Sequence, residues 1–192
     1  MPRRIHLFDT PDRFVTGTIG EPGSRTFFLQ ARDGGRVVSV ALEKVQVAVL
    51  ADRLAALLGE IEARGIAAVP EEARTDAAPL DEPLNEAFRA GTLTLGWDVD
   101  AERVVIEARE QTDEDEEEDD VAEQAAGAAL ADDESEDGPD LLRVRLEAGA
   151  ARSFIERAVR VLGAGRPPCP LCGQPLDPQG HLCPRRNGNR LN

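Results

Sequence analysis

All three cysteines and one of the two histidines of this 192-residue chain fall within fifteen residues: Cys169, Cys172, His181 and Cys183. Cys-x₂-Cys, eight residues, then His-x-Cys supplies thiolate and imidazole donors in the number a tetrahedral Zn²⁺ takes. In CPLCG, Gly173 allows the left-handed conformation that a metal-gripping turn needs. Pro175, Pro178 and Gly180 turn the chain back, and residues two apart on an extended segment share a side, so His181 and Cys183 can meet the first pair. Cys169, Cys172 and Cys183 are the fixed ligands; the fourth place falls to His181, with Asp177, His6 or water as alternatives. Four protein ligands close the site and make it structural, whereas three leave room for a catalytic water. With no glutamate or second histidine nearby in sequence to act as a base, the expectation is a structural Cys₃His zinc site.

The remaining chemistry is sparse. Arg185, Arg186 and Arg190 follow the last cysteine and could touch phosphates, but no aromatic stacking platform accompanies them, so nucleic acid is the weaker reading. There is no glycine-rich phosphate loop, G-x-S-x-G elbow or H-E-x-x-H pair. His6 stands alone, and Asp98 and Asp100 after Trp97 read as turn acids. Lys44, the only lysine, follows Glu43; Glu43 recurs as Glu147 in a similar setting, which suits a structural role at a strand-to-helix junction.

The elements that would position these groups repeat. Ile5 to Phe8, Phe14 to Ile19, Thr26 to Arg32 and Val37 to Leu42 read as strands, separated by turn residues at Asp9–Asp12, Gly20–Gly23 and Asp33–Gly35. Val47, Leu50, Leu54, Leu57 and Ile61 then recur at helical spacing, giving an amphipathic helix from about Glu43 to Arg64 that stops at Gly65. Ala67 to Asn85, with three prolines, reads as a loop. FVTGTI (Phe14 to Ile19) is echoed by FRAGTL (Phe88 to Leu93), RTFFLQAR by RVVIEAR, and DGGRVVSVALE by DGPDLLRVRLE. A second helix follows on Ala151, Phe154, Ile155, Ala158, Val161 and Leu162. The expected fold is α+β: two duplicated βββα units, copy one at 13–65 and copy two at 87–165, forming antiparallel sheet with two packed helices and related by a pseudo-two-fold axis. A small C-terminal zinc ribbon at 166–192 follows this 1–165 domain.

Strand alternation puts Val15 and Ile19, Phe27 and Leu29, and Val38, Val40 and Leu42 toward the helices. Thr16, Thr18, Gln30 and Arg32 then face away, together with Phe14 and Phe28. Two phenylalanines on an outer face could serve a partner; a wetted sheet face is the alternative.

The net charge of −15 belongs to one stretch. Fifteen acids and no lysine or arginine lie between Glu110 and Asp137, and the remaining 22 acids balance 22 bases. The insertion at 110–137 has too little apolar surface to order itself and reads as a disordered loop. No secretory h-region and no membrane-length apolar run occurs, and clustered thiols suit a reducing compartment, so a cytoplasmic protein is expected.

The opening F-D-x-P-D-R-F-V-x-G-T, the central R-T-F-F-L-Q-A-R-x-G-G-R-V-V-S-V-A-L-E-K and the closing R-P-P-C-P-x-C-G-x-P-L-D-P-x-G-H-x-C-P-R-x-N-G resemble an uncharacterised actinobacterial family, a domain of unknown function described as little more than a repeat protein. The resemblance covers nearly the whole chain outside Val69–Pro79 and the acidic insertion. It implies a cytosolic bacterial protein and no activity. Leu-Glu-Ala-Gly before the second helix departs from a Thr-Pro type of start and removes a cap there. The functional expectation is therefore a non-enzymatic, zinc-containing binding or adaptor protein with a protein partner. An enzyme acting in the groove between the two copies is the alternative, and nucleic-acid contact through the basic ribbon tip comes after it.

Overall fold

The computed structural model describes residues 3–21, 23–112, 138–165 and 169–172. The order within them is β1 (Ile5–Phe8), β2 (Arg13–Ile19), β3 (Thr26–Asp33), β4 (Arg36–Leu42), α1 (Lys44–Ala63), β5 (Glu86–Asp98), β6 (Arg103–Glu110), β7 (Leu141–Leu146) and α2 (Ala148–Gly163). The α+β expectation holds at this level, with every expected strand and both helices in place. The strands form one sheet in the order β1-β7-β6-β5-β4-β3-β2. It is mixed rather than purely antiparallel: β4–β5 and β1–β7 pair in parallel. A parallel neighbour needs a crossover, which α1 and the loop after it supply between β4 and β5.

The sheet is strongly curved. β1 and β2 lie at opposite ends of the strand order, yet only Asp9–Asp12 separates them. Five residue steps of about 3.4 Å reach roughly 17 Å, whereas the edges of a flat seven-stranded sheet at about 4.8 Å per strand stand roughly 29 Å apart. The ends must therefore approach each other. Arg36 of β4 donates to the Leu7 carbonyl at 3.1 Å and sets its guanidinium over the Phe8 ring, 4.5 Å from the centroid. The Gly34 amide donates to Asp12 at 2.8 Å. α2 completes the picture by touching β2 as well as β6 and β7, so the concave face wraps the helix pair. One core joins both helices to the strands, with Leu29, Val40, Leu54, Ile106, Val144 and Phe154 at or near zero exposure. Each such side chain contributes about 2 kcal/mol by leaving water.

The registers correct the reading of β2. Phe14 pairs with Ala31 and Thr16 with Leu29, so Phe14 joins the core, its ring 5.0 Å from that of Phe154. Val15 and Phe28 face away from the helices. Strand alternation thus sets the phase of β2 wrongly, and Ile19, expected toward the helices, is 52% exposed. Leu93 pairs with Ala108 as Phe14 does with Ala31, so Leu93 stands in Phe14's place, while Phe8 on Val144 corresponds to Phe88 on Val40. β1 and β2 together thus take the positions on β7 and β3 that β5 takes, as one bent strand, on β4 and β6. Alternation alone could not reveal this, because the bend between the two halves shifts the phase.

The helix boundaries follow local chemistry. Gln46 accepts from the Glu43 amide at 2.9 Å at the start of α1 and ties back to Ala90 and Gly91. Gly65, at φ 65°, ends it. Glu43 and Glu147 each hold an arginine of the neighbouring strand, Arg89 at 2.9 Å and Arg103 at 3.2 Å, as their junction role requires.

Candidate functional site

Two of the four expected zinc ligands lie among the described residues. Cys169 follows α2 closely and is buried; Cys172 sits in the turn after it and is half-buried. His181 and Cys183 lie outside the described residues, as do Asp177, Arg185, Arg186 and Arg190 and most of the acidic insertion. Among the described residues no three His, Cys, Asp or Glu side chains converge as a metal site. His6, the spare ligand candidate, lies on β1 with its ring 6.5 Å from that of Phe88. Burial, and then the nearby Arg36 cation, lowers its pKa, so it is neutral at pH 7.

The densest ionic cluster among the described residues is built on the segment that the sequence reads as a plain loop. Residues 66–85 contain no helix or strand, but they form a strap that leaves α1, runs along α2 and crosses the β2 edge onto the convex face. Val69 enters the core, and the Arg74 amide donates to Ser153 at 3.0 Å. Asp76 then receives Arg13 through two bonds, Nε–Oδ2 at 2.6 Å and Nη2–Oδ1 at 3.0 Å. Arg157, buried on α2, donates to Asp76 Oδ1 at 2.7 Å, to its carbonyl at 2.9 Å and to the Thr16 carbonyl at 2.6 Å. Asp81 takes Arg13 on one oxygen at 2.9 Å and Arg32 on the other at 3.0 Å.

The Arg13 hydrogen bond, more than any other influence, holds Asp76 below the usual carboxylate range. The same bond raises Arg13, and burial lowers Arg157. An open pocket of about 440 Å³ lies over this cluster. Asp76 and Asp81 are already occupied by guanidinium groups and serve as a clasp, while Asp12, the third carboxylate of the lining, accepts from the Gly34 amide. Beneath the strap, Leu80 packs with Val15, Phe28 and Ala41 in a second apolar cluster. The two outward phenylalanines expected as a partner face are therefore accounted for otherwise: Phe14 is in the core and Phe28 is under the strap.

Nothing in the local spacing announces a clasp whose arginines stand 49 or more residues from the acids they hold. One sign was present: Arg157 falls among Phe154, Ala158 and Val161 on the apolar stripe of α2, where a cation requires a buried partner.

A smaller pocket, about 240 Å³, joins the two halves: Gly23, Arg25, Phe27 and Lys44 from the first, Leu162 and Gly165 from the second. Arg25 donates to the Ala164 carbonyl at the C-terminus of α2, a favourable place for a cation. Among the described residues the ionisable lining is Arg25 and Lys44. Asp98 accepts from the Asp100 and Ala101 amides at 3.1 and 2.9 Å and is a turn acid, as expected.

A family model described as protein of unknown function (DUF3090) matches residues 6–183, and the chain belongs to that family. No curated protein and no solved structure matches.

Proposed function

For this DUF3090 family member, we propose a non-enzymatic binding or adaptor protein in which a structural Zn²⁺, held by Cys169, Cys172, His181 and Cys183, folds a C-terminal ribbon onto a duplicated α+β core. The observation that carries the zinc reading is positional. Cys169 is buried just behind α2 with Cys172 in the next turn, and the family match runs as far as Cys183. All four ligands thus fall inside the span that defines the family. The duplication reading draws on the recurrence of strand-strand-strand-helix and on the way β1 with β2 matches β5.

The non-enzymatic reading draws on saturation: Asp76 and Asp81 of the ionic cluster are bound by arginines, and the pocket between the halves offers only cations among the described residues. A protein partner suits Val45 and Val49, exposed one turn apart on α1 at 65% and 40%. No helix among the described residues is long and apolar enough to cross a membrane. A cytoplasmic setting would keep the four ligands reduced and available to metal.

Elemental analysis of the full chain, purified without chelator, tests the proposal. One zinc per chain is expected, lost in Cys169→Ser while the far-ultraviolet circular dichroism of the core persists. Zinc-free protein with an ordered tail overturns it.

A further inference from the structure

The convex face of the second half carries residues as deeply buried as those that the strap covers in the first. In the first half, Gly17 pairs with Phe28, Phe28 with Ala41, and Gln30 with Ser39. Leu80 lies on Gly17 so closely that an added Cβ would stand 2.7 Å from its Cγ. Asp81, the next residue, bonds Gln30 through its backbone, its amide donating to Oε1 at 2.7 Å and its carbonyl accepting from Nε2 at 3.0 Å.

In the second half, Gly96 pairs with Val105, Val105 with Arg145, and Glu107 with Arg143. The registers therefore equate Gly17 with Gly96, Phe28 with Val105, and Gln30 with Glu107. Val105 and Glu107 are each only 1% exposed, although they face away from the helices. Arg143 occupies one Glu107 oxygen at 2.5 Å; Arg109 stands 3.8 Å from the other. A carboxylate this deeply buried calls for further donors on its remaining lone pairs.

The chain contains a second copy of what covers the first face. Pro79-Leu80-Asp81 recurs as Pro175-Leu176-Asp177, between Cys172 and His181. Leu176 follows the end of α2 at Gly163 by thirteen residues, and Leu80 follows the end of α1 at Ala63 by seventeen. Thirteen residues reach about 43 Å when extended, enough to round one edge of the sheet. α1 also bears Arg53 at the position that Arg157 holds on α2, when both helices are aligned on Glu43 and Glu147.

We propose that the tail segment Pro175–Asp177 docks on the convex face of β5–β6–β7, with Leu176 on Gly96 and the Asp177 amide donating to Glu107. This fastens the proposed metal loop to the sheet through its own middle. The acidic stretch 113–137, rooted at the ends of β6 and β7, is the competing occupant for the arginines of this face. The repeated Pro-Leu-Asp and the glycine beneath it favour the tail. The docking goes beyond the zinc reading and does not depend on it.

Hydrogen–deuterium exchange on the full chain tests the assignment, comparing wild type with Gly96→Val and Leu176→Asp. In wild type, the amides of 173–180 are expected to exchange at least tenfold more slowly than free peptide. Both variants should return them to nearly free rates while the strap at 66–85 is unchanged. Leu176→Asp alters only the tail and so remains informative if Gly96→Val does not fold. Unprotected 173–180 in wild type, protection that survives Leu176→Asp, or exposure of 113–137 in its place on Gly96→Val overturns the docking. Metal analysis of the same samples separates the two readings. Absent zinc with protection intact removes only the zinc site, whereas retained zinc with protection indifferent to the variants removes only the docking.

Discussion

The Gln30 side chain and the Asp81 backbone exchange two hydrogen bonds, so one amide side chain stands in for the edge of a neighbouring strand. Gln30 also donates to Ser39 at 3.0 Å, and both side chains are 1% exposed. Gln30→Ala leaves the Asp81 amide and carbonyl unsatisfied under the strap. The expected loss is about 2–3 kcal/mol, read as a lower urea midpoint with an unchanged slope. A variant within about 0.5 kcal/mol of wild type would show that water replaces both bonds without cost.

Gly17 is required by space and not by conformation. Gly17→Ala places a methyl against Leu80 and should cost about 1–3 kcal/mol. In Leu80→Ala the methyl finds room, so the double variant should recover part of that loss, with a coupling of about 1 kcal/mol in a double-mutant cycle. Strict additivity would mean that the strap lifts away instead of colliding.

The clasp sets an acid limit. Asp76 has a folded pKa lowered from 3.8, chiefly by its bonds to Arg13. A lowered carboxylate stabilises the fold above its unfolded pKa, and that contribution disappears as pH falls from about 4 through the lower folded value. Asp76→Asn should therefore cost about 2–3 kcal/mol at pH 7 and progressively less below pH 4. Urea midpoints of the two proteins across this range give the measurement; parallel curves would remove Asp76 from the acid transition.

His6 works in the opposite pH range. Its folded pKa is lowered from 6.5 by burial and by Arg36 and Arg4, with Asp140 opposing them. Below pH 6.5 the unfolded chain takes up a proton that the folded chain resists, so stability declines as pH falls from 6.5 toward 5. His6→Gln should flatten the midpoint over that interval while leaving the Asp76 transition below pH 4 in place.

Metal removal should act locally. Chelation is expected to raise the proteolytic sensitivity of the chain beyond α2 while the core keeps its thermal midpoint within a few degrees. Collapse of both together would make the ribbon a structural part of the core.

The strands and helices were legible because hydrophobic period is a local property: Val47, Leu50, Leu54 and Ile61 announce α1 and all four are buried, while Leu57 of the same stripe is only partly buried and Leu58 takes the core place. The phase of β2 was not, since it depends on where the chain bends between Phe8 and Arg13, and a phenylalanine fits either side of that bend. The clasp was hidden for another reason. Arg13, Asp76, Asp81 and Arg157 meet only after the strap has crossed the sheet, and charged residues scattered through a polar loop look no different from solvated ones.

The pairing of β1 with β7 has a consequence for synthesis. Ile5–Phe8 leaves the ribosome well over a hundred residues ahead of Leu141–Val144, its only strand partner among the described residues. Closing so large a loop is entropically slow and must await the synthesis of β7, whereas β2, β3 and β4 can pair as soon as they emerge. The nascent chain therefore holds an unclosed sheet with β1 unmatched until β7 arrives. A ribosome-stalled fragment ending before Leu141 should bind a hydrophobic chaperone that the released full-length protein does not.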